Sequence, residues 1–169
     1  MNLAMSIRET IKYFLLFFLV CNSIYASKVA SWQTYFVLSP LTHHWQKSPD
    51  HKHAWLAGIE MVKDNELMGA AYFKNSYNQS SGIIYPIGRQ YILNDGYIKP
   101  FASWRLGVIY SYRGEFEDKV PLSKNGWLPA ILPSVGMKVS EGFRIESIFL
   151  INRAVMISLS ARLPIDNML

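Results

Sequence analysis

Four side chains in this 169-residue sequence invite a chemical reading at once. His43, His44, His51 and His53 are all of its histidines, and they lie within eleven residues of one another. Imidazole is the side chain whose ordinary pKa lies closest to neutrality. Such a group can act as a general base, ligate a metal, or simply keep a loop polar. The HxH pair at 51 and 53, with His43 and His44 upstream, is a conceivable zinc set. Structural zinc sites add cysteines or carboxylates at defined spacing, and only Asp50 stands nearby. The reading therefore assigns no metal and no cofactor, and leaves His51 and His53 as loop residues. His43 and His44 stand apart because they follow the first candidate strand. Neighbours on an extended chain face opposite ways, so at most one of them aims at a given partner.

The elements that must position these residues are strands. In ASWRLGVIYSYR, residues 102–113, Ala102, Trp104, Leu106, Val108 and Tyr110 share one face. Ser103, Arg105, Gly107, Ile109 and Ser111 share the other, a period of two. Val155, Ile157, Leu159, Ala161 and Leu163 alternate with Met156, Ser158, Ser160 and Arg162 in the same way. Eight such runs are predicted, at about 30–38, 54–63, 66–74, 81–93, 102–113, 127–139, 142–151 and 154–163. Two-residue junctions at Asp64-Asn65, Glu141-Gly142 and Asn152-Arg153 predict antiparallel hairpins. Longer connections, 39–53, 75–80 and 114–126, tend to alternate with them. Bacterial outer-membrane barrels alternate in this manner, and strands of about 9–11 residues suffice to cross a bilayer when tilted. Aromatics make up 14% of the chain. Trp32, Trp55, Trp104, Trp127, Tyr72 and Tyr91 fall near strand ends, as interface girdles do. The fold class predicted is all-β, an eight-stranded antiparallel transmembrane β-barrel. A soluble eight-stranded barrel or sandwich is the competing reading. Against the membrane barrel, the chain ends ARLPIDNML, without an aromatic closing the last strand.

The ends of the chain and its charge agree with export. Arg8 and Lys12 precede the apolar run Tyr13 to Cys21, and Ile24-Tyr25-Ala26 offers a small residue before a cut. Residues 1–26 read as a cleaved signal and 27–169 as the barrel. The single cysteine leaves with the signal, so the mature chain holds together without disulfides. Removing Arg8, Lys12 and Glu9 leaves 15 basic against 11 acidic residues, a net charge of +4. That excess suits an anionic membrane surface, and no basic stripe is dense enough for nucleic acid.

WLPAILPSVGMKV, residues 127–139, carries Pro129 and Pro133. Proline gives no donor to a strand ladder and belongs at edges, bulges or strand starts. Either hydrogen bonding is interrupted here at one rim, opening a lateral path for an acyl chain, or the strand starts only after Pro133.

Taken together, FKNSYN (73–78), LPAILPSVGMK and the upstream histidine resemble the PagP family of outer-membrane lipid A palmitoyltransferases. The resemblance runs in order over most of the mature chain. It implies an eight-stranded barrel whose interior measures one acyl chain, and transfer of a palmitoyl group from a membrane phospholipid donor to a lipid A acceptor by a monomer. It places the family's functional histidine, acid and serine at His44 (or His43), Asn75 and Ser76. His44 and Ser76 then belong to one rim, since strands one and three both run towards it. A serine hydroxyl attacks an ester at neutral pH when a neighbouring histidine takes its proton. Asn75 departs from the family, which has aspartate there. A carboxamide can orient an imidazole but cannot neutralise its charged form. The alternative is a non-catalytic outer-membrane barrel used for surface interaction or masking.

Overall fold

Polar or small residues alternate with apolar ones along every strand, and this alternation sorts one face inward and the other outward. The computed structural model describes residues 32–46, 48–120, 122–150 and 153–164. The strands are β1 Gln33–His44, β2 Trp55–Lys63, β3 Glu66–Lys74, β4 Ser80–Ile92, β5 Lys99–Tyr110, β6 Trp127–Ser140, β7 Phe143–Leu150 and β8 Ala154–Arg162. Each pairs antiparallel with the next, and β1 pairs with β8, so the sheet closes into a barrel. A short 3₁₀ helix, Gly114–Lys119, lies between β5 and β6. The eight-stranded all-β barrel expected from the sequence is the fold. The predicted signal, residues 1–26, lies outside the described residues.

Three expectations change. The first strand does not end near Pro40: β1 runs on to His44, with a register shift between Leu38 and Leu41 in its pairing to β8. A bulge is where a strand tolerates a residue without an N–H, so His44 is the last strand residue, not the first of a loop. The proline strand starts at Trp127 and contains both prolines. The short connection between β7 and β8 closes the rim that also carries the long loops, whereas the turns at 64–65 and 141–142 close the opposite rim.

The prolines leave open flanks. β6 pairs with β5 along Trp127–Lys138, but its ladder to β7 covers only Ser134–Ser140. Among the described residues, 127–133 thus have no ladder on the β7 side. Likewise β1 pairs with β2 only as far as Ser39, while Leu41–His44 continue against β8.

Polarity is inverted relative to a soluble barrel. Outward-facing Leu41, Ile87 and Ile131 are 60%, 54% and 55% exposed. Charges on the outer face of the strands sit at the rims, Lys63, Glu66 and Arg89 at one and Lys74 at the other. Inward-facing Glu60, Arg105, Arg144 and Glu146 are 3% exposed or less. Arg105 donates from Nε to Glu60 Oε2 at 2.7 Å and from Nη2 to both Glu146 oxygens at 2.9 and 3.1 Å. Arg144 donates to Glu60 Oε1 at 2.9 Å and lies over the Tyr35 ring at 3.9 Å. Two carboxylates and two guanidiniums balance, as buried charges must. The inward residues of β5 from Phe101 onward, read from the tight-turn rim to the loop rim, are Phe101, Ser103, Arg105, Gly107 and Ile109, with buried Ser111 just past the strand's end. Charged residues therefore occupy the lower lumen. Ile83, Ala130, Leu132, Ile148 and Met156 form an apolar cluster with Ile109 and Leu150 above them. Polar residues return at the loop rim. The packing leaves room only for glycine in places: a Cβ on Gly69 would come within 2.5 Å of the Tyr85 hydroxyl.

Candidate functional site at the loop rim

The bulge at Pro40 decides which histidine faces in. Thr42 and His44 are part-buried and His43 is exposed against Trp45, ring to ring at 5.5 Å. Thr42 Oγ1 donates to the Ala54 carbonyl at 3.1 Å, closing the loop between β1 and β2. Inside that loop the Lys52 N–H donates to the Ser76 carbonyl at 2.7 Å. This bond ties the histidine loop to the turn after β3. It also brings His51 beside His44, with ring centroids 4.4 Å apart, and edge-on to Tyr77 at 5.8 Å. Nε2 of His44 and Nδ1 of His51 are both buried without a hydrogen-bond partner. His43 ends the apolar outer band of β1, so His44 lies beyond that band. Burial, and then the charges of His51 and His43, hold the His44 imidazole below the ordinary histidine range. The neutral, base-competent form is thereby favoured at neutral pH.

Asn75 and Ser76 are buried at the same rim. The Asn75 Oδ1 accepts from the Tyr77 and Gln79 N–H groups at 3.0 and 2.9 Å. Its Nδ2 donates to Ser111 Oγ at 3.0 Å and Gln79 Oε1 at 3.3 Å. A carboxamide has two donors and two acceptor lone pairs, so Asn75 is fully committed to shaping its own turn. It does not orient His44 in this structure. The Ser76 side chain hydrogen-bonds with that of Tyr112. Burial raises the Tyr112 phenol above its ordinary range, with the Ser76 hydrogen bond pulling the other way. Tyr112 sits at φ +48°, a left-handed conformation that strains a bulky residue, and its ring meets that of Tyr77 edge-on at 6.1 Å.

The rim thus brings His44 and Ser76 into linked loops, each with a different immediate partner: His51 for His44, and Tyr112 for Ser76. Sequence reasoning left His51 as a loop residue and missed Tyr112 altogether. His51 gave no signal, because its contact depends on the Lys52–Ser76 tether. A tyrosine two residues beyond a strand end is common enough to go unread. An open cleft of about 370 Å³ is lined by Thr42, His43, His44, Ser48, His51, Lys52 and His53, and Ser76 lies outside this lining. Among the described residues no group of three or more His, Cys, Asp or Glu is disposed to hold a metal ion. No protein-family model matches the chain, and no curated protein matches it.

Proposed function

We propose that this protein is an outer-membrane acyltransferase that moves a palmitoyl-type chain from a phospholipid to lipid A, as a monomer. The apolar exterior supports the membrane placement. The closed barrel satisfies most of the strand backbone in hydrocarbon, apart from the flank of β6 near the loop rim, and strands of 8–14 residues suit a bilayer. The observation that carries the enzymatic reading is the apolar upper lumen, open at the β7 flank of β6, beneath a rim holding His44 and Ser76. A donor acyl chain enters between β6 and β7 and lies against Leu132, Ile148 and Met156, with Tyr85 and the charged layer as its floor. Ser76 exchanges Tyr112 for His44, which takes the hydroxyl proton while Oγ attacks the ester carbonyl. Collapse of the tetrahedral adduct breaks the ester C–O bond, and the lysophospholipid leaves as an alcohol with the proton from His44. A lipid A hydroxyl, deprotonated by His44, then attacks the acyl-serine carbonyl, and as the bond to Ser76 Oγ breaks His44 returns that proton to the serine.

Asn75 favours a second reading. Its side chain is spent on the turn, as a non-catalytic barrel used for surface interaction or masking would leave it. Mass spectrometry of lipid A from cells expressing the wild type, His44→Ala or Ser76→Ala separates the two. One added acyl mass with the wild type, lost by about three orders of magnitude in the variants, is expected. No added mass with the wild type establishes the non-catalytic reading. Full activity in both variants moves the site elsewhere.

A further inference from the structure

A buried polar atom left unpaired costs about 1–3 kcal/mol, and of the seven such side-chain atoms among the described residues only the two imidazole nitrogens belong to residues lining the rim cleft. Nε2 of His44 and Nδ1 of His51 are both in that state, on rings 4.4 Å apart under one cleft. We propose that these two nitrogens form a binding site for a borderline d-block dication of the Cu²⁺ or Zn²⁺ class. Water from the open cleft completes the coordination sphere.

The chemistry of the donors selects the ion. Imidazole suits copper, zinc and nickel, whereas calcium and magnesium take oxygen ligands, and no carboxylate lines this cleft. Each ring is held in place by its own element. His44 is fixed by the last pairing of β1, opposite Ala154. His51 is held by the Lys52–Ser76 bond and by Tyr77, itself stacked on Phe116 at 4.5 Å. An ion at about 2.0–2.1 Å from each nitrogen satisfies both lone pairs at once. Two protein ligands make an exchangeable site, not a structural one. The sequence reading took the four histidines together as a conceivable zinc set, assigned no metal, and left His51 and His53 as loop residues; the fold sets His51 against His44. The site stands independently of the acyltransferase reading. Only its consequence rests on that reading: a bound ion occupies the lone pair that His44 needs as a base, so the metal inhibits transfer.

The test uses the full chain folded in detergent, without lipid substrate, so its outcome does not depend on any acyltransferase activity. Cu²⁺ titration by calorimetry is expected to give one ion per chain. His44→Ala and His51→Ala each weaken it by about tenfold or more, while His43→Ala and His53→Ala leave it unchanged. Because a variant can disturb folding, Zn²⁺ is also added to the ¹⁵N-histidine-labelled wild type. His44 Nε2 and His51 Nδ1 resonances shift together and first. Equal Cu²⁺ affinity in His51→Ala, or Zn²⁺ shifts spread evenly over all four histidines, or a proton shared by His44 and His51 that Zn²⁺ does not displace, overturns the proposal.

Discussion

The lower lumen and the loop rim are both lined with polar side chains, yet they are built on opposite terms. In the lumen, Arg105 spends its guanidinium on Glu60, Glu146, Ser103 and Ser134, and each carboxylate meets at least one guanidinium. At the rim, turn residues such as Asn75 are equally satisfied, but the histidines in the cleft are not. The lumen's carboxylates and Arg105 are paired, and its unpartnered atoms, Arg144 Nε and the hydroxyls of Ser39, Ser158 and Ser160, are shut away from solvent; the rim has a saturated frame around unpartnered imidazoles that line an open cleft. Stability belongs to the first and reactivity to the second. Unspent lone pairs are what a substrate, proton or ion can use.

The sharpest way to break this contrast is to remove the hub of the lumen. Arg105→Met leaves Glu60 and Glu146 buried with their main partner gone. Such a loss costs about 3–5 kcal/mol. Urea unfolding of the folded barrel in detergent should show that drop. A loss under about 1 kcal/mol would mean that water reaches the network and that the lower lumen is not closed.

A smaller effect is expected from the frame of the rim. Asn75→Ala removes four hydrogen bonds in one exposed-edge turn, where water can replace part of what is lost. The expectation is about 1–3 kcal/mol of local opening, read as roughly ten- to hundredfold faster amide exchange at Tyr77 and Gln79. Asn75→Asp keeps the two accepting bonds and loses both donors, so it should fall between wild type and alanine. Protection unchanged in Asn75→Ala would show that the turn is held from outside, by the Lys52 tether and Tyr112.

Much of this was legible in the chain, and what was not has a physical reason. The alternation of Ser103, Arg105 and Gly107 with Trp104, Leu106 and Val108 marks two faces. Periodicity cannot say which face turns inward, because closure of the sheet decides that. Glu60 and Arg105 are 45 residues apart, and only the registers of β2 through β5 bring them together. Prolines mark an interrupted ladder reliably, so the open flank of β6 was readable from Pro129 and Pro133. Whether a strand stops at a proline or bulges past it was not, and β1 bulged past Pro40. Strand direction placed His44 and Ser76 at one rim. The contact of His44 with His51 depends on one backbone bond across two loops, and no local pattern encodes that.

The least of the expected effects comes from protonating the centre of the rim. His44 faces His51 from the loop and His43 beside it, and burial adds to their charges in lowering its folded pKa. In the unfolded chain the imidazole titrates near its ordinary value of about 6.5. Between that value and the lowered one, the unfolded chain binds more protons than the folded one. Stability therefore falls as pH drops below about 6.5, and levels off once pH passes beneath the folded pKa. The dependence is modest because one part-exposed group carries it. His44→Ala should flatten this slope between pH 7 and 5, read from urea unfolding in detergent at each pH. A slope that survives in His44→Ala would assign the proton to another group, and His44 would not be the titrating centre of the rim.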